Sequence, residues 1–158
     1  MGLYRPLNSS FQCSPPSVEI STTCSTWPSP DGTALLWRRI LPVEGGDRGN
    51  SEIFIAERDG SNPRNLSVHP GFDGYPAWAS DGSKIVFAST RNESGDRTPP
   101  KIFVMDPDGS GITQITKSSP DLADVRPWFS PGGRRIVFNR IYIDEDRTEI
   151  LVGTLPPE

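Results

Sequence analysis

One pattern recurs three times along this chain. Ser29-Pro30-Asp31-Gly32-Thr33-Ala34-Leu35-Leu36-Trp37 is the first copy, Ala79-Ser80-Asp81-Gly82-Ser83-Lys84-Ile85-Val86-Phe87 the second, and Ser130-Pro131-Gly132-Gly133-Arg134-Arg135-Ile136-Val137-Phe138 the third. Each places a glycine turn before two polar or small residues and an apolar triplet ending in an aromatic. Gly32, Gly82 and Gly133 repeat at a period of about 50 residues, at the upper end of the periods that mark folds built by stacking one unit. Such a unit cannot bury its apolar face alone, so neighbours must cover it.

More positions keep the same period. Tyr75-Pro76-Ala77-Trp78 matches Arg126-Pro127-Trp128-Phe129, with Asp73 and Asp124 three residues ahead of each proline. The first copy has Thr26-Trp27-Pro28 there and lacks both that proline and that aspartate. Downstream, Glu52-Ile53-Phe54-Ile55 matches Lys101-Ile102-Phe103-Val104 and Glu149-Ile150-Leu151-Val152. Asp59-Gly60-Ser61 matches Asp108-Gly109-Ser110, and Arg64-Asn65-Leu66-Ser67 matches Thr113-Gln114-Ile115-Thr116. Each copy reads as four short strands, a to d, because β-branched and aromatic runs bounded by Asp-Gly turns favour antiparallel hairpins. The 15 Gly and 17 Pro are spread along the chain, interrupting every stretch that could carry a helical apolar period. The expected class is all-β, with three four-stranded antiparallel propeller blades over approximately 24–67, 73–116 and 124–154 in a single domain, 1–158.

The run Asp73-x-x-Pro76-Ala77-Trp78-x-x-Asp81-Gly82-x-Lys84-Ile85-x-Phe87, followed by Ile102-Phe103-Val104-Met105-Asp106-x-Asp108-Gly109 and a short Ile-Thr strand, resembles the PD40 repeat of TolB-like β-propellers. The middle copy, Asp73 to Thr116, matches best. The third has Gly132 where the repeat has Asp, and the first is the most divergent. The resemblance implies a fold and leaves the activity open. It further implies a ring that presents its loops to a protein or peptide.

The third copy stops after strand c, and Leu3-Tyr4-Arg5-Pro6-Leu7-Asn8 resembles the d strand Pro63-Arg64-Asn65-Leu66-Ser67. The order d, abcd, abcd, abc sums to three whole blades, with residues 3–8 expected to complete the last. Propellers contain about 4–8 blades, so three blades form half of a six-bladed ring and leave apolar faces on the terminal blades. Three resolutions follow. Two chains close a homodimeric ring with exchanged N-terminal strands, the chain is part of a longer propeller protein, or it stands as a three-blade solenoid.

The candidate partner- or ligand-binding residues are those placed at a channel mouth and its loops: Asp73, Tyr75, Asp124 and Arg126 on the a strands, with Arg91 after strand b. Asp73 and Asp124 have two readings: bonding backbone amides of a neighbouring blade, or facing the channel and holding a ligand or cation. The b–c connections, Leu41 to Ser51, Asn92 to Pro100 and Ile141 to Thr148, are long and polar, as binding loops on a rigid ring are. Asp106-Pro107-Asp108-Gly109-Ser110-Gly111 begins like a calcium loop, but its twelfth position is Lys117 where a bidentate glutamate is needed, so it reads as a hairpin turn. Cys13 and Cys24 fit no zinc spacing, though a disulfide between them is open in an oxidising compartment, and His69 is the single histidine. Metal-holding lyases of related fold use several histidines, so no metal and no cofactor is expected. There is no Gly-x-Ser-x-Gly elbow, and no residues remain for the hydrolase domain of a prolyl-oligopeptidase-type enzyme.

Arg38-Arg39 and Arg134-Arg135 are isolated basic pairs in a chain of net charge −4, too few aligned cations for a nucleic-acid partner. No apolar stretch reaches the roughly 20 residues that span a bilayer. Met1 to Gln12 lacks a basic region followed by an apolar core, so the chain is expected to be cytoplasmic if Met1 is native, and periplasmic or secreted if it is trimmed. The function expected is a non-catalytic scaffold for a protein or peptide, completed by homodimerisation. The alternative is a fragment or regulatory propeller of a larger peptidase-like or carbohydrate-active enzyme.

Overall fold

A computed structural model describes residues 26–41, 50–91, 98–117 and 119–155. Among these residues the chain is all-β, with eleven strands in three antiparallel sheets. Sheet one holds β1 (Thr26–Pro28), β2 (Ala34–Leu41), β3 (Asn50–Glu57) and β4 (Arg64–Asn65), in that order. Sheet two repeats it with β5 (Asp73–Trp78), β6 (Ile85–Ser89), β7 (Lys101–Met105) and β8 (Thr113–Gln114). Sheet three holds β9 (Leu122–Phe129), β10 (Arg135–Tyr142) and β11 (Arg147–Thr154). The segment 3–8, expected to give sheet three its fourth strand, lies outside the described residues, as do Cys13 and Cys24.

The Asp-Gly signatures explain the hairpins. Between the first two strands of each sheet, the glycine amide closes a turn: Gly32 to Ser29 O at 2.9 Å, Gly82 to Ala79 O at 2.9 Å, Gly133 to Ser130 O at 2.8 Å. These glycines adopt left-handed φ of 72°, 75° and 70°, where a Cβ would be strained. Asp31 and Asp81 add a side-chain bond to the amide two residues on, at 3.1 and 3.0 Å. Asp59 and Asp108 do the same in the c–d turns, at 2.9 and 2.8 Å.

The fourth strands are shorter than the sequence suggests, two residues each. The ladder hands over to a side chain. Leu66 N donates to Ile53 O at 2.8 Å, but Ile53 N donates to the Ser67 hydroxyl at 3.0 Å. Ile115 N donates to Ile102 O at 2.8 Å, while Ile102 N donates to the Thr116 hydroxyl at 3.0 Å. The third b–c connection also departs from the expected long loop. Pairing of β10 with β11 continues to Tyr142↔Arg147, leaving residues 143–146 as a tight turn. The Arg147 guanidinium stacks 3.5 Å from the Tyr142 ring centre and holds the strand ends together.

The sheets stack through their apolar faces. Leu36, Ile53, Ile55 and Leu66 of sheet one meet Ile85, Phe87, Phe103 and Met105 of sheet two. The opposite face of sheet two, with Ala77, Val86, Ala88 and Ile102, meets Ile136 and Phe138 of sheet three. Phe87 is fully buried and packs 5.9 Å from Phe103, so Phe87→Ala should cost about 3–5 kcal/mol. First strands approach one another, β5 touching β1 and β9, whereas β4 and β8 touch only their own sheets. The a strands therefore form the inner rim, and the d strands the outside.

Candidate functional site

The inner rim carries a backbone irregularity at the same place in two sheets. Pairing of β5 with β6 skips from Gly74↔Ala88 to Ala77↔Val86, so Tyr75 and Pro76 bulge opposite Phe87. Pairing of β9 with β10 skips from Val125↔Asn139 to Trp128↔Val137, so Arg126 and Pro127 bulge opposite Phe138. Proline suits this position because a bulge needs no ladder donor. The residue before each proline takes a left-handed φ, 53° at Tyr75 and 53° at Arg126. A pre-proline residue ordinarily stays extended, and a left-handed non-glycine residue costs about 1–3 kcal/mol. Strain repeated at the rim of a bulged strand is the backbone arrangement that aims a side chain.

What it aims is a ladder of rings and cations crossing all three sheets. The Arg126 guanidinium carbon lies 5.7 Å from the Tyr75 ring centre. Tyr75 packs against Phe72 at 5.7 Å between centres, and Arg38 of β2 lies over the Phe72 ring at 5.7 Å. Gly74 is needed here, because a Cβ would come within 2.6 Å of the Phe72 ring and 3.0 Å of Arg38 Cδ. Tyr75 is half-buried and Arg126 is exposed, so the sheet-three end of the ladder presents guanidinium donors to solvent. Cations on ring faces are held in place while their remaining N–H groups stay available.

Asp73 and Asp124 are placed otherwise than the sequence suggests. Both are fully buried, and among the described residues each carboxylate is paired with an arginine. Asp73 accepts from Arg91 at 2.8 Å. Asp124 receives a two-pronged contact from Arg140 at 2.7 and 2.9 Å. The physical reason is that a carboxylate without water needs a counter-charge, and an arginine fork supplies two donors. Arg91 also donates to Ser67 O at 3.2 Å, so it ties sheet two to the end of sheet one. Ser51 Oγ in sheet one donates to Asp73 O at 2.9 Å. Asp73, Arg91 and Asp124 thus position the rim from beneath, and Tyr75 and Arg126 remain at its surface.

Two buried charges escaped the sequence reading, although both stand at the repeated charged position that opens strand c. Glu52 accepts from Ser67 Oγ at 2.5 Å and from His69 N at 2.9 Å. Lys101 donates to Ser119 O at 3.1 Å and to Leu122 O. At one repeat position a carboxylate meets loop donors, and at the next an ammonium meets loop carbonyls. Burial pushes the Lys101 ammonium below its ordinary pKa of 10.5, with Asp124 pulling it up and Arg140 pushing it further down. Arg38 and Phe72 were also missed. Arg38 belongs to a basic pair that looks isolated in sequence, and Phe72 precedes the repeated aspartate without a counterpart in the other copies. Among the described residues no group of three His, Cys, Asp or Glu side chains is placed to hold a metal ion.

No family model matches the chain. Over 58 residues, 37% of the chain, it is 36% identical to the Tol-Pal system protein TolB of Desulfosudis oleivorans, covering 13% of that protein. A solved structure described as putative TolB from Agrobacterium tumefaciens superposes with a TM-score of 0.67 at 23% identity, over 85% of this chain and 46% of that one. An oligogalacturonate lyase from Vibrio parahaemolyticus shares the fold with a TM-score of 0.53 at 16% identity, over 85% of this chain and 36% of that one. The chain therefore spans less than half the length of each of these proteins. With its repeats, its three stacked antiparallel sheets and these likenesses, the chain has the blade fold of a β-propeller, similar to that of TolB.

Proposed function

We propose that the chain is a non-catalytic propeller scaffold that holds a protein or peptide partner at its inner rim, in a ring completed by a second copy. The observation that carries this is the Arg38–Phe72–Tyr75–Arg126 ladder, built on left-handed residues that only the surrounding sheets can hold in place. Rigid aromatics flanked by arginines fit a segment bearing a carboxylate, whose oxygens accept from the guanidinium fork. The place of the TolB relative in the Tol-Pal system supports a partner-binding part.

Selection of displayed peptides on the immobilised full chain tests the reading. Acidic peptides should be enriched, and Arg126→Ala should weaken them about 10- to 100-fold, the equivalent of a charge-assisted hydrogen bond of about 1.5–3 kcal/mol. Peptides that bind Arg126→Ala and Arg38→Ala as tightly as the unaltered chain would overturn it.

A further inference from the structure

The repeat allows each face of one sheet to be compared with its counterpart on the next. Sheet two packs on sheet three through Ala77, Val86 and Ile102, which are 1%, 0% and 0% exposed, with Val104 packed beside them. In register, Val86 sits between Ala77 and Val104. On sheet three, Val137 sits between Trp128 and Val152, and Ile150 stands where Ile102 does. The same four positions are therefore apolar again, and one small residue has become tryptophan. Yet Trp128 is 52% exposed, Ile150 73% and Val152 64%. A face that is fully covered inside the stack is repeated at its end uncovered, and exposed apolar patches of this kind mark interfaces.

The matching counter-face is also in the chain. Sheet two receives sheet one through Ile85, Phe87, Phe103 and Met105, with Phe87 and Phe103 in ring contact at 5.9 Å. The repeat equivalents on sheet one are Leu35, Trp37 and Phe54, all half-buried, and Ala56, which is buried. They lie on the face opposite Leu36 and Ile53, because side chains alternate along a strand. Trp37 and Phe54 form the same ring contact, stacked at 5.8 Å. The two ends of the stack thus carry the two kinds of face that meet in its interior, the sheet-three face open and the sheet-one face half-buried.

Resting on the scaffold reading, we infer that the Trp128–Ile150–Val152 face seats the Trp37–Phe54 face of a second copy of this chain. The contact is head to tail. Made twice about a two-fold axis, it closes six sheets into a ring, within the about 4–8 blades of known propellers.

Light scattering after size exclusion tests this on the full chain at several loadings. The expected mass is twice the 17.3 kDa of one chain. Ile150→Asp, at a position open to solvent, should give the single-chain mass with an unchanged circular dichroism spectrum. Trp37→Asp should do the same on the other face, with the spectrum reporting whether it folds. Mixing the two single-mass variants should restore a heterodimer, because one contact then joins two intact faces. A single-chain mass for the unaltered protein, or a dimer indifferent to Ile150→Asp, would overturn the inference. A mixture of two folded variants that stays at single mass would overturn the head-to-tail contact. If Trp37→Asp loses its fold, Leu35→Asp takes its place in the mixture. A monomer that still selects Arg126-dependent peptides would sink the ring surface alone, and a dimer that selects none would sink the scaffold reading alone.

Discussion

Replacing Asp124 with alanine should destabilise the fold by about 3 kcal/mol. The carboxylate is fully buried, and it neutralises Arg140 through two short bonds while facing the buried Lys101. Removing one partner of a buried ion pair costs about 3–5 kcal/mol, because the other charge is left without compensation. Two details place the effect at the lower end. The Arg140 side chain keeps 22% exposure and can turn toward water. Lys101 retains carbonyl acceptors at Ser119 and Leu122. For a chain of 158 residues, about 3 kcal/mol corresponds to a fall in Tm of roughly 6–12 °C. The assay is thermal and urea unfolding at one fixed protein concentration, since association would itself shift Tm. A double-mutant cycle with Arg140→Ala isolates the pair, and its coupling should be about 2 kcal/mol. A loss below about 1 kcal/mol, or no coupling with Arg140, would refute the view that this carboxylate is a buried counter-charge.

Other expectations follow from the turns and the rim. Asp31, Asp59, Asp81 and Asp108 are all held below the ordinary carboxylate value of 3.8, first by a neighbouring side-chain hydroxyl and then by a backbone amide. Their contribution is complete above pH 3.8 and is lost as pH falls through the depressed folded values, so stability should fall more steeply below that point, and Asp81→Asn should make the acid limb shallower by lowering stability at pH 7 while leaving it nearly unchanged at the acid end. Gly132 has open space around it and no left-handed φ, so Gly132→Asp should stabilise by about 0.4–1 kcal/mol in urea unfolding. Gly133→Ala, at φ 70°, should destabilise by about 1 kcal/mol in the same assay. Arg126→Gly relieves a left-handed residue at the loss of an exposed cation–π contact of about 0.5–1 kcal/mol, so it should hold or raise stability while weakening acidic-peptide binding as much as Arg126→Ala does. Loss of stability together with retained binding would show that the bulge is not a strained presenting device.

By itself the sequence determined the repeat, the hairpin turns and the all-β class. Those depend on local chemistry: a glycine that accepts a left-handed φ at positions 32, 82 and 133, an aspartate two residues before a hydroxyl, and alternating β-branched side chains. It also placed Tyr75 and Arg126 at equivalent positions. It could not show that both bulge with left-handed φ, because a residue before proline is locally biased to extended backbone and only the packed sheets override that bias. Nor could it show that Asp73 and Asp124 are consumed by Arg91 and Arg140, since those arginines sit at different distances along the chain, 18 and 16 residues away. The ladder from Arg38 to Arg126 joins residues of three different sheets. Only the stacking of those sheets brings the four side chains together, because cation–π and ring contacts act over a few ångströms and carry no trace in sequence spacing.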